Sequence, residues 1–268
     1  MVAATGLEPA TKGFGINTMN DGIGITKQLQ ANITEFLAKR DLALLYKEYT
    51  WTKDNWDNGF QEMRQLEIDF RTSLEDGFIT QDNVMSVVKW GRLRNSKRVK
   101  CPERIVLPEL PTNPEDALIA LLTLLDRTTK GLGPTYYSKI LMFAFPKLYG
   151  AIDTRLVTVF GHGDSDTYSH EWLSLRVRNY GSGPHIPETQ HHWPSEYITW
   201  IQILHFIAQL CNSSQPKCPH PEEYISRGLR EKGIWIAADV ETALFSYASK
   251  RYASKRLKAK GINGTCLV

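Results

Sequence analysis

The chain has 268 residues, 42% hydrophobic and 23% charged, with a formal net charge of +3. That composition excludes a disordered, collagen-like or disulfide-dense chain, and the length admits one large domain or two small ones. No apolar run reaches the ~20 residues of a membrane span, and residues 1–6 show no secretory pattern, so the four cysteines (101, 211, 218, 266) are expected as reduced thiols in a cytoplasmic protein.

Residues 1–24, rich in Gly, Thr and Asn, read as a flexible arm, and 25–268 as one helical domain. Leu29, Ile33, Phe36, Leu37, Leu44, Leu45 and Tyr49 recur at helical spacing, and 58–75 and 80–91 also read as helices. A basic, proline-containing connector spans 95–113. Asn113, Pro114, Glu115 and Asp116 then form a helix start with cap, N1 proline and acids at the positive dipole end. The run 117–125 is apolar all round, which predicts a buried helix. Lys130-Gly131-Leu132-Gly133 breaks it, Pro134 opens a second helix to about Phe143, and 154–160 makes a short third one. Residues 161–193, with four Gly, two Pro and five His, read as a long binding loop or lid. Helices are expected again at 195–210, 221–231 and 236–257. Period-2 alternation is scarce, so the fold class is mainly α.

The charge is unevenly spread. Residues 89–104 hold seven basic residues and one acid, and 250–260 hold six basic residues and no acid. Two such patches on an otherwise acidic chain suit a polyanion, most often nucleic acid; they also suit two solvated surface segments.

The informative stretch is 113–160. A Gly-x-Gly between two helices permits a tight hairpin and leaves amides at a helix N-terminus to face an anion, a grip on phosphate that ignores sequence. Asp153, in Ile152-Asp153-Thr154-Arg155, stands twenty residues after Gly133. This stretch resembles the helix-hairpin-helix DNA glycosylase superfamily, and most closely its 8-oxoguanine DNA glycosylase-like branch. Gly131-Leu132-Gly133 matches the family hairpin, within a helix-hairpin-helix at about 114–144, and Asp153 matches the catalytic acid, in a loop at 151–155. Asp239–Phe245 is similar to a C-terminal helix of bacterial members. The departures are Thr129-Lys130 where the family often has Leu-Pro, Tyr137 where it has a small residue, and Thr135 where bifunctional members carry a nucleophilic Lys. Lys139 lies one turn beyond Thr135 on the same helix face.

The resemblance implies a DNA N-glycosylase that flips a modified base from duplex DNA and leaves an abasic site, acting as a monomer without cofactor or membrane. With no Lys at 135, a monofunctional enzyme using Asp153 is expected, with Lys139 a second catalytic candidate. A carboxylate beneath a sugar that develops positive charge stabilises it and orients the attacking water. The expected DNA contacts are Lys130, Gly131, Leu132, Gly133, Thr135, Arg155, Arg92, Arg94, Lys97 and Arg98. The expected base pocket is Tyr136, Tyr137, Trp90 and Trp172, each of which could equally be core. Asp153 could equally be the N-cap of the helix at 154. Oxidised guanine is the family default, in DNA repair. The bulky tyrosines and the 161–193 loop point to a larger base, such as a hypermodified pyrimidine of phage DNA, in anti-phage defence. The alternatives are an N-glycosidase of a modified nucleoside or nucleotide, and a non-catalytic helix-hairpin-helix DNA-binding module.

Cys211 and Cys218 echo the first gap of an iron–sulfur loop, but Pro221 and Arg227 occupy the next ligand positions, so no cluster is expected. Cys211, Cys218 and His220 offer three zinc-type ligands without a visible fourth, and His162, Asp164, His170, His185, His191 and His192 match no ligand spacing, so no metal is expected either.

Overall fold

The computed structural model describes residues 24–162, 169–180, 183–214 and 216–259, with side chains for all of these except 180 and 254–259. The arm expected at 1–24 lies outside the described residues except for Gly24, as do Asp164, Lys260 and Cys266. The described chain is mainly helical, at 55% helix.

Thr26 and Asp41 cap α1 (Lys27–Ala38) and α2 (Leu42–Lys47) through their side-chain oxygens. The two-residue strands β1 (Thr50–Trp51) and β2 (Asp54–Asn55) form a hairpin that leads into α3 (Gln61–Glu75). Buried Asp54 caps α3 from a distance, accepting from the Glu62 and Met63 amides at 2.7 and 3.1 Å. Strand β3 (Phe78–Thr80) runs into α4 (Gln81–Trp90), whose start is a Thr80–Asn83 capping box. The basic connector folds as a short 3₁₀ turn at 96–98 and strand β4 (Arg104–Val106), antiparallel to β3. Strands this short are too brief to show alternation in sequence.

Asn113 caps α5 (Pro114–Thr128) by accepting from the Glu115 and Asp116 amides. Helix α5 buries one face only (Ala117, Leu118, Leu121, Leu122, Leu125), and Ile119 is 40% exposed, which corrects the expectation of burial all round. The fully buried helices are α6 (Pro134–Ala144), buried from Tyr136 to Ala144, and α10 (Ala237–Ala259), buried from Ala237 to Ala248. Between them come α7 (Thr154–Phe160), the hairpin of β5 (Arg178–Tyr180) and β6 (Gly183–His185), α8 (Ser195–Ser213) and the short α9 (Glu222–Ser226).

Helix α6 packs on α3, α4 and α5, whereas α10 packs on α2, α7 and α8. Around α10 the core is aromatic: Tyr46, Trp200, Tyr224, Trp235 and Phe160 are almost wholly buried. The expected long loop is only partly irregular. His170 and Trp172 pack edge-on to Phe36 and stack near Phe160, and the Leu173 amide donates to Phe160 O at 2.9 Å. No helix among the described residues is long and apolar enough to cross a membrane.

Candidate functional site

The hairpin between α5 and α6 is tight because another backbone crosses it. Lys100 and Lys130 exchange both backbone hydrogen bonds, at 3.0 and 2.8 Å. Gly131 adopts φ +80°, and a Cβ there would lie 2.9 Å from the Arg98 carbonyl oxygen. A side chain is excluded twice over, by backbone conformation and by space. The bridge places the basic segment beside the hairpin: Lys97, Arg98, Lys100 and Lys130 are all exposed and form no ion pair with a described residue. The amides of Gly131, Leu132, Gly133 and Thr135 donate to no described residue, and they precede or open α6, where the helix dipole favours an anion. Glu188 lies against Gly133, 3.3 Å from where a Cβ would stand.

One helical turn inward, the same helix carries Lys139, whose side chain is buried. Its ammonium lies 5.6, 5.2 and 5.5 Å from the ring centroids of Trp51, Trp90 and Tyr136. Those rings are tied together. Trp51 Nε1 donates to Trp90 O at 3.0 Å, Trp90 Nε1 to Asp54 Oδ2 at 2.9 Å, and Tyr136 Oη to Gly91 O at 2.9 Å. Burial lowers the Lys139 pKa below the ordinary lysine value, and Asp153 and Glu241 oppose that shift.

Asp153 caps α7, its Oδ1 accepting from the Arg155 and Leu156 amides at 2.9 and 3.0 Å, while Oδ2 makes no hydrogen bond to a described residue. The approach to Asp153 is held at each step. Tyr197 Oη donates to Gly150 O, Trp200 Nε1 to Ala151 O, and Ser138 Oγ accepts from the Ile152 amide at 3.0 Å. Ser138 precedes Lys139, so the bond that fixes Ile152 sets Asp153 beside α6. Gly150 is required because a Cβ there would lie 2.4 Å from Leu204 Cδ1 and 2.9 Å from Glu241 Cβ.

Glu241 on α10 completes the cluster. It is buried, and burial followed by the Asp153 charge holds its carboxyl well above the usual range, with Lys139 opposing. Arg155 lies in the wall rather than on the surface: its guanidinium sits 4.9 and 5.3 Å from the rings of Trp51 and Phe245, and it donates to Ser249 Oγ. Exposed Arg92 is 6.0 Å from the Trp51 ring centroid.

The fold therefore brings Asp153, Lys139, Arg155, Arg92, Trp90 and Tyr136 to one site. Lys130, Gly131, Leu132, Gly133, Thr135, Lys97 and Arg98 lie on the adjoining outer face. Arg94 lies near Gly183, the first residue of β6. Tyr137 faces the other side of α6 and hydrogen-bonds Asp126 at 3.2 Å. Trp172 lies in a separate polar depression of about 530 Å³ with Phe36, Arg40, His170, Tyr247 and Arg251. There burial, Arg251 and Arg40 push His170 down to about 4. In the second basic segment, Lys250 pairs with Glu48 at 2.5 Å and Arg251 lies over Tyr247. Sequence reading missed Trp51, Phe245 and Glu241; Phe245 stands within the stretch similar to the family's C-terminal helix, but nothing local to Trp51 marks it.

No protein-family model, curated protein or solved structure matches the chain.

Proposed function

We propose that the chain is a helix-hairpin-helix DNA N-glycosylase. The observation that carries this reading is the burial of a lysine and a carboxylate together, walled by aromatic rings, one turn inside a hairpin whose free amides adjoin unpaired surface cations. The outer face suits a duplex backbone, because exposed Lys and Arg exchange counterions with phosphates and the hairpin amides add a fixed anion contact. The inner site suits a flipped nucleotide: half-buried Trp51, backed by the buried rings of Trp90 and Tyr136, offers aromatic surface for a base, and extrusion costs a few kcal/mol that stacking returns in part.

Asp153 performs the central task in this reading. As the C1′–N bond breaks, the electron pair leaves with the base and the sugar becomes cationic. The unencumbered Oδ2 stabilises that charge and takes a proton from the water that attacks C1′. Oδ1 stays committed to the α7 amides, which fixes the carboxylate without screening its other oxygen.

A second form of the reading has its own observation, the burial of Lys139. An amine whose pKa is lowered by burial is neutral more often, and a neutral amine can attack C1′ itself to give a Schiff base with the opened sugar. That step would make the enzyme bifunctional. The substrate is a modified base, oxidised or bulkier, in repair or in anti-phage defence.

Mass spectrometry of bases released from a panel of duplexes (unmodified, oxidised-guanine, uracil-containing, alkylated and hypermodified phage DNA) tests the proposal, with Asp153→Asn beside it. A base released only by the intact protein supports it; release that survives Asp153→Asn overturns the site. Borohydride trapping of a protein–DNA adduct separates the bifunctional form from the monofunctional one. Silence across the panel with salt-sensitive DNA binding would favour the binding module. Silence without DNA binding would favour a nucleoside N-glycosidase.

A further inference from the structure

A second buried group of ionisable side chains lies on the other side of α10 and takes no part in the proposed chemistry. Cys218 and His220 flank Pro219 in the segment before α9, and Asp239 is on the first turn of α10. All three are buried, and one donor atom from each lies within 4.8 Å of the other two. His220 Nε2 and Asp239 Oδ2 are 2.9 Å apart. Asp239 Oδ1 accepts from Arg230 Nε at 2.8 Å, and the rest of that guanidinium forks onto Glu67 at 2.6 and 2.8 Å. His220 Nδ1, the ring nitrogen not bonded to Asp239, is buried without a hydrogen-bond partner among the described residues.

We propose that Cys218, His220 and Asp239 bind a divalent cation of the zinc class. The donor set decides the class: thiolate, imidazole and one carboxylate oxygen suit zinc and exclude calcium and magnesium, which take oxygen. Ligand nitrogen and oxygen atoms about 2.0–2.1 Å from a tetrahedral zinc stand roughly 3.3 Å apart, close to the observed His220–Asp239 spacing. Cys218 offers its Sγ within 4.8 Å of the other two donor atoms, from a backbone held by its amide donating to Gly233 O at 3.1 Å. On the carboxylate side the outer shell is already built, because Arg230 bonds one oxygen of Asp239 and leaves the other facing the imidazole, and Glu67 orients Arg230.

Charge supports the same assignment. Glu67 and Asp239 carry one formal negative charge more than Arg230 in a dry interior. A doubly charged cation and an ionised Cys218 bring the group to zero. Binding displaces the Cys218 thiol proton and any proton on the coordinating imidazole nitrogen, both to solvent. A water takes the fourth position. The bound ion pins the 218–220 segment to the first turn of α10, the helix that carries Glu241 and Phe245 into the site described above. This proposal stands independently of the glycosylase reading.

The test is cobalt titration of the chelator-treated full chain, with metal analysis of the protein as purified. The expected result is one equivalent bound, a thiolate-to-cobalt charge-transfer absorption in the near ultraviolet, and a rise in Tm on adding zinc. Cys218→Ser removes the absorption, His220→Ala weakens binding at least 100-fold, and Cys101→Ser, away from the group, changes neither. If Cys218→Ser fails to fold, the intact protein still decides through its own absorption and zinc-dependent Tm. No charge-transfer band with no zinc effect on Tm overturns the proposal, as does a band that survives Cys218→Ser.

Discussion

Two groups of buried charge among the described residues lie on opposite sides of α10 and are treated differently. Around Arg230 the guanidinium is answered by two carboxylates. The guanidinium forks onto Glu67 and bonds Asp239, which also meets His220; burial would raise the Asp239 pKa, but Arg230 and His220 outweigh it and hold the carboxyl below its usual range. Around Lys139 the charges are brought near one another but not closed into ion pairs. The ammonium faces aromatic rings, Asp153 keeps one oxygen uncommitted, and Glu241 is buried beside them. A buried charge with all its partners is inert and holds structure. A buried charge left with reactivity to spare has to be held by other means, here by Ser138, Tyr197 and Trp200 gripping the backbone at 150–152. The first arrangement commits its guanidinium to two carboxylates from distant segments, leaving the His220 side for the proposed cation, and the second leaves its groups uncommitted, as the proposed chemistry requires.

The sharpest way to break this contrast is at Asp153. Asn caps a helix about as well as Asp, so Asp153→Asn should keep the Tm while base release falls below detection, as read by mass spectrometry. A large fall in Tm instead would place Asp153 with the structural charges. Glu67→Gln should do the reverse: removing one partner of a buried pair costs about 3–5 kcal/mol, a Tm fall on the order of 10 °C, with base release per folded molecule unchanged. Thermal melts and active-site-normalised rates would show both.

Smaller effects sharpen the picture. Trp51→Leu should lower kcat/KM by roughly tenfold, the scale of one lost stacking contact, with little change in Tm. The pH dependence of borohydride trapping reports Lys139. Because its pKa in the folded chain lies below the ordinary value, the neutral amine accumulates as pH rises and trapping should reach its half-maximum below pH 10.5. The same sign applies to stability, since the unfolded chain binds the Lys139 proton more tightly and the folded state gains as pH rises through that window. Lys97→Ala and Arg98→Ala should each reduce the salt slope of DNA binding by about 1 without changing which base is released.

Part of this was legible residue by residue. Asn113 and Pro114 mark the start of α5, Pro134 that of α6, and Asp153 that of α7, because caps and N1 prolines act within a single turn. The two Gly of the hairpin also read directly, although the reason for Gly131 did not: the backbone of Arg98 lies against it. Helix α10 shows the limit. Asp239, Glu241, Thr242 and Ser246 break any apolar periodicity, yet all four are buried. Asp239 meets Arg230 and His220, and Thr242 and Ser246 bond back to helix carbonyls. Helix α5, with its cleaner run of leucines, was the one expected to be fully buried, and it exposes Ile119.

What the sequence determined alone is the mainly helical class, the helix starts and the tight hairpin, since each depends on neighbours within a few residues; Lys139 and Asp153 were singled out through the family resemblance. Only the tertiary structure decided that Trp51 and Glu241 join those two, that the basic connector is stitched to the hairpin through Lys100 and Lys130, and that Asp239 stands beside Cys218 and His220. These meetings join distant segments by packing and by paired burial of polar groups, and neither leaves a period or a motif along the chain.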